Sequence, residues 1–385
     1  MINQPLTAAL NIRNALLVTV ASVLMVPHAA GLIEMNEGRD KITVNADYGI
    51  SYDSNIFARS GSAGDTDQTL SFGANYIRRA GMIGFSSTAS VTFARFEKFS
   101  SEDFTNPSLA MELTKDDGRL TGSLSLAGQR ESRSDDAANI RANSWHYSSA
   151  LGLRYPVNDR YYLTSSTEIS QRDYVQNTPL FDLSSYAESV DLCYVYSSKL
   201  DLLGGYRIRL GQAQGGTGTR DSAFTLGATG GILPKLSGTV RAGYQWRYED
   251  GIDGGNYQSL TTALSLAWPV NKRTTFSFQA SKDFMTAATD ISVDATAFDL
   301  SATLKPNLKV KIAFTAEAGY TISRYLGVAG AGREDRALSF AAHLSVPIKS
   351  HLSAELSYGY YNNDSNFTYS KYERRTASLG VSLKY

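Results

Sequence analysis

Five prolines punctuate this chain in near-identical settings: Pro156 in YPVNDR, Pro234 in LPKL, Pro269 in WPVNKR, Pro306 in KPNLK and Pro347 in VPIKS. Each follows a stretch of alternating apolar residues, is followed within four residues by Lys or Arg, and precedes a new alternating stretch. Proline has no N–H for a sheet ladder, so it marks a strand end. The gaps are 78, 35, 37 and 41 residues, and Ser197-Ser198-Lys199 splits the first gap with a turn of the same kind. Tight turns at that spacing imply a repeated unit of two long strands and one longer loop. The expected fold is all-β, an antiparallel up-and-down barrel.

The strands support this by their period. Leu236, Gly238, Val240, Ala242, Tyr244 and Trp246 share one face, and Ser237, Thr239, Arg241, Gly243, Gln245 and Arg247 the other. The same split recurs from Val310 to Thr321 and around Leu120, Leu124 and Leu126. One face is apolar and the other small and polar. Eleven alternating residues exceed the roughly 5–6 of a soluble strand and match the roughly 9–11 of a tilted transmembrane strand. Eighteen strands are expected, centred near 46, 73, 89, 110, 125, 150, 166, 191, 206, 226, 242, 263, 278, 301, 316, 341, 356 and 379. Sixteen is the alternative count, because Pro107 weakens the strand near 110. Tight turns and longer connections alternate, and an even count puts both termini on one side, expected to be periplasmic.

The chain ends add detail. Arg13 and the apolar run from Ala15 to Val26, then Pro27-His28-Ala29-Ala30-Gly31, read as a signal peptide over residues 1–30, cleaved after Ala30 or Gly31. Residues 31–385 then form a single barrel domain. Ala377, Leu379, Val381, Leu383 and Tyr385 lie on one face of the last strand, as in the C-terminal signal read by outer-membrane assembly machinery. Tyr155, Tyr161, Tyr194, Tyr196 and Trp268 flank tight turns, while Trp145, Trp246, Tyr320, Tyr358 and Tyr360 lie toward the longer loops. Amphipathic rings prefer the headgroup level, so two girdles are expected in an outer membrane.

Composition excludes other classes. Lys+Arg and Asp+Glu are 37 each, which gives no support for nucleic-acid binding. The lone Cys193 provides no disulfide framework and reads as a small packed residue. His146, His343 and His351 accompany no HExxH, GxSxG or paired-cysteine pattern, so no enzyme, metal or cofactor is expected. Gly215-Gly216-Thr217-Gly218-Thr219-Arg220 lacks the Walker spacing and lysine and reads as a surface loop.

The inward face carries the informative chemistry. Parity sends Arg154, Arg172, Arg207, Arg209, Arg241 and Arg247 toward the lumen. Asp47, Glu112, Asp299, Glu317 and Glu355 point inward on other strands, which predicts a basic arc facing an acidic one. Pairing of these arginines with Glu168 and Asp191, holding the wall together, is the structural alternative. No external loop exceeds roughly 16 residues, and many inward residues are small, so an open aqueous lumen is expected.

Tyr52-Asp53-Ser54-Asn55-Ile56-Phe57 resembles the DxNIF stretch near the start of the putative β-barrel porin 2 family. Many of its members are encoded with exopolysaccharide systems. The resemblance implies an outer-membrane barrel of a Gram-negative-type bacterium that exports polysaccharide, in contact with lipid, lipopolysaccharide and separate periplasmic polysaccharide-export proteins. It carries over no ligand or catalytic residues. A general or sugar-selective uptake porin is the alternative, and a non-conducting structural or adhesive barrel the third reading.

Overall fold

The computed structural model describes residues 32–384, apart from 37–38, 62, 136, 176–177, 251–254, 307–310 and 328–331. The leader over 1–30, Gly31, the turn at Asn307, Val310 and terminal Tyr385 lie outside the described residues.

A short strand β1 (Leu32–Met35) precedes eighteen long ones among the described residues. These are β2 (Asp40–Asp53), β3 (Asp65–Ala80), β4 (Ile83–Phe96), β5 (Phe104–Lys115), β6 (Thr121–Asp135), β7 (Ile140–Pro156), β8 (Tyr161–Val175), β9 (Leu183–Val195) and β10 (Leu200–Ala213). They continue as β11 (Gly218–Leu233), β12 (Leu236–Glu249), β13 (Asn256–Asn271), β14 (Thr274–Thr286), β15 (Ser292–Leu304), β16 (Ala313–Tyr325), β17 (Glu334–Lys349), β18 (Leu352–Ser365) and β19 (Tyr372–Lys384). Every expected centre falls inside one of them. Each pairs antiparallel with the next, and β19 closes on β2 from Thr376↔Asp53 to Lys384↔Asn45. Strand β1 pairs with β2 below that point, Leu32↔Thr43, continuing the line of β19; the sequence pattern did not reveal it.

The strands run 12 to 17 residues, longer than a membrane crossing needs. Alternation sets their faces: Tyr244 and Trp246 are exposed outward, while Gln245 and Arg247, which alternate with them, are buried inside. Outward rings pair up near both rims. Tyr161–Tyr194 (5.2 Å) and Trp268–Phe276 (6.0 Å) flank the tight turns, and Trp145–Tyr147 (6.1 Å) and Tyr244–Trp246 (5.2 Å) lie toward the loops.

The proline turns differ in detail from simple strand ends. Pro156 ends β7, but Pro269 and Pro347 sit within β13 and β17, where the register shifts by a bulge before the turn. In both, the bulge follows the proline: Pro269 stays opposite Thr275 and Pro347 opposite Ser353, and Val270 and Ile348 are the residues left out of register. At Pro234-Lys235 the backbone of Lys235 takes φ 67°, the left-handed conformation that a type II turn with Pro234 at its second position places on the next residue.

Candidate functional site

At the loop end two hairpin tips leave the wall and fold inward. The first is the tip of β6–β7. Pairing of β5 with β6 stops at Ser108↔Gln129, one residue beyond Pro107, while β5 continues beside β4 to Phe104. Pro107 has no N–H to offer β6, so the ladder ends there. Residues 130–135 of β6 have no ladder partner on β5. Released from β5, the tip turns its outer face onto the inner face of β2–β5. The Arg141 guanidinium lies over the rings of Phe96 (5.0 Å) and Phe104 (5.8 Å) and pairs with Glu102 at 3.4 Å.

The tip then crosses the mouth. Asn139 donates to the Ala58 carbonyl (2.7 Å) and accepts from Ser370 Oγ (2.7 Å). Arg333, ahead of β17, donates to the Ala137 carbonyl at 2.7 Å and is held by Asp335 at 2.6 Å. Ala58 lies in the nearby β2–β3 connection, Ser370 lies before β19, and the connection before β17 stands nearly opposite β6–β7 in the ring, so the contacts with Arg333 reach across the mouth.

The second is the tip of β14–β15. Here the seam lies between β13 and β14, whose ladder ends at Thr262↔Lys282, leaving residues 256–261 of β13 unpaired with β14. The tip packs against the inner face of β10–β12. Phe284, on the outward parity of β14, is 1% exposed and lies 5.3 Å beneath the Arg247 guanidinium. The two tips approach through Ala142, Leu180 and Ala288, a small buried apolar cluster.

Inward arginines hold the second tip. Arg209 binds Asp221 on β11 (2.6 Å) and Asp283 on β14 (3.2 Å), and donates to the Phe284 carbonyl. Arg207 reaches Asp283 at 2.8 Å. Arg247 grips Asp221 through two bonds of 2.6 and 2.8 Å and donates to the Met285 carbonyl (2.6 Å) and Ser292 Oγ (2.9 Å). Bidentate guanidinium–carboxylate geometry of this kind is the strong form of the ion pair. Asp221 is 1% exposed and serves two arginines at once, so its negative charge is a precondition for burying them.

The inward candidates therefore divide. Arg207, Arg209 and Arg247 form this brace, Arg241 pairs bidentately with Asp191 (2.8 and 2.9 Å), and Arg172 pairs with Glu131 at 2.9 Å. Arg154 lies 3.9 Å over the ring of Tyr162, beside buried Cys193 and Leu203. The expected basic arc is thus largely neutralised in place by aspartates. Asp221 and Asp283 were legible as inward by parity but were not singled out. Glu112, Glu168, Asp299, Glu317 and Glu355 are exposed, and among the described residues none has an ion pair.

The expectation of an open lumen is corrected at the loop end. Loops are short, as the sequence indicated, but strand tips do the narrowing. The Tyr52–Phe57 stretch supports this end too. Asp53 takes the Arg374 guanidinium (2.6 Å), and Asn55 donates to the Arg59 (2.8 Å) and Glu373 (3.3 Å) carbonyls, tying the first barrel strand to the last.

A closed eighteen-strand antiparallel barrel with an apolar exterior, a polar interior and an inward constriction is the architecture of outer-membrane porins. OpdK of Pseudomonas aeruginosa, solved with vanillate, superposes with a TM-score of 0.51 at 11% identity, covering 89% of this chain and 99% of that one. OccK2 (OpdF) of the same organism gives 0.50 at 13% identity, covering 90% and 97%. At such identity the likeness concerns the fold. Residues 206–385 match the family model described as putative beta-barrel porin 2, so the resemblance is shown over that segment; Tyr52–Phe57 lies outside it. No curated protein matches the chain.

Proposed function

We propose that this chain is an outer-membrane channel that passes small polar solutes, with the loop end outside and both termini in the periplasm. The observation carrying this reading is the pair of in-folded tips, which narrows an otherwise polar-lined barrel near its mouth. A constriction braced by buried ion pairs suits discrimination among small solutes. Polymer export, implied by the family resemblance, would require that mouth to stay wide along a chain of sugars, so the uptake reading is favoured. On the same reading, β19 presents the outward face recognised during assembly, residues 1–30 are the leader, and the wall contacts lipid and lipopolysaccharide. Separate periplasmic export proteins belong to the export reading alone.

The test is insertion of the purified full chain into planar bilayers and liposomes. Small, well-defined conductance steps and passage of small solutes but not oligosaccharides are expected. Large steps with oligosaccharide passage would favour export. Insertion without any conductance would defeat both channel readings.

A further inference from the structure

Beneath the β14–β15 tip lies a luminal cavity of about 330 Å³, walled by β8, β9 and β10 with Asp283 as its roof. The ladder arranges its floor in rows. Ser166, Ser189 and Arg207 lie across from one another in one row, and Glu168, Ala187 and Arg209 in the next. Ser170 and Ser185 extend the floor toward the loops. Small residues thus occupy the middle strand, so the space between the outer two is open.

The two sides carry opposite charge. Glu168 on β8 is exposed to the cavity and among the described residues has no hydrogen-bond or ion-pair partner. Arg207 on β10 uses Nη2 for Asp283 and Gln245, and among the described residues Nη1 has no hydrogen-bond partner. A guanidinium has five N–H groups, so donors remain for a ligand. The backbones of β8 and β10 lie two strand spacings apart, about 10 Å, and Glu168 and Arg207 are offset by one row, so a solute lying over Ala187 and Ser189 meets a carboxylate on one side and a guanidinium on the other.

We infer that this cavity is a binding site for small zwitterions of the α-amino-acid class, the ammonium on Glu168, the carboxylate on Arg207 and the serine hydroxyls around the body of the solute. The inference rests on the channel reading for its role in passage, but binding itself does not. A simple anion meets Glu168 and Asp283 as well as the arginines, and a simple cation meets Arg207, so each satisfies one side only.

The test is saturation-transfer NMR on the full chain in detergent with L-alanine, propionate and propylammonium as probes. L-Alanine should give a signal several-fold above the other two, and Glu168→Gln should lower it to the level of propionate. Among the described residues Glu168 holds no partner, so this variant should fold; its barrel mobility on gels checks that. Equal signals from the three probes, or an unchanged L-alanine signal in E168Q, would overturn the inference. In bilayers, conductance without any L-alanine effect on the current would exclude a role of the site in passage. A barrel that binds L-alanine but never conducts would instead defeat the channel reading and leave the site standing.

Discussion

The turn end and the loop end of this barrel are built from the same strands and obey different rules. Toward the turns, many inward positions are small or carry carboxylates such as Glu317 and Glu355 that have no ion pair among the described residues, and contacts beyond the neighbouring strand are few and short in reach, as in Arg241 on β12 with Asp191 on β9 and Tyr162 on β8 with Asp201 on β10. Toward the loops, inward positions are buried, charged and paired, and strands far apart in the ring meet: β10 with β14, and the β6–β7 tip with the connection before β17. The difference shows that a barrel wall can be regular while its mouth acquires a core of its own, made of ion pairs rather than apolar packing.

That contrast can be broken most strongly at Asp221. Asp221→Ala should leave Arg209 and Arg247 without their shared carboxylate, at a cost of about 3–5 kcal/mol, typical of stranding a buried charge. The loss should appear as a lower urea midpoint for the detergent-folded barrel, while Glu317→Gln at the turn end should leave the midpoint unchanged. Next in size is removal of residues 133–140 with a short Gly linker, which should raise single-channel conductance several-fold. If the tip does not narrow the pore, conductance will stay the same.

Pro107→Thr restores the missing N–H and should let the β5–β6 ladder lengthen, drawing the first tip toward the wall. A modest rise in conductance is expected, and none if the seam has another cause. The smallest effect concerns charge. With the arginines neutralised in place, the unpaired carboxylates dominate the lower lumen, so the channel should favour cations weakly. The double variant Glu317→Gln and Glu355→Gln should move the reversal potential in a salt gradient toward anions, by a few millivolts at most given screening over about 10 Å at 0.1 M.

Much of this was readable in the residues. The strand centres, the alternation of turns and loops, and the inward direction of Arg207, Arg209, Arg241 and Arg247 follow from a two-residue period and its punctuation. Pro107 was visible as a weak point, but its consequence lay in which neighbour lost a hydrogen bond, which depends on register. The partners of the arginines were also hidden. Arg209 and Asp283 are 74 residues apart, and nothing local in either segment announces the other.

By itself the sequence determined the wall: how many times the chain crosses, where it turns, and which face of each strand is apolar. Those properties are local, because each residue's face follows from its neighbours two positions away. Only the tertiary structure decided the mouth. Whether a strand tip stays in the wall or folds inward depends on losing a ladder on one side and gaining buried ion pairs on the other. Those gains exist only once strands distant in sequence are brought around the ring.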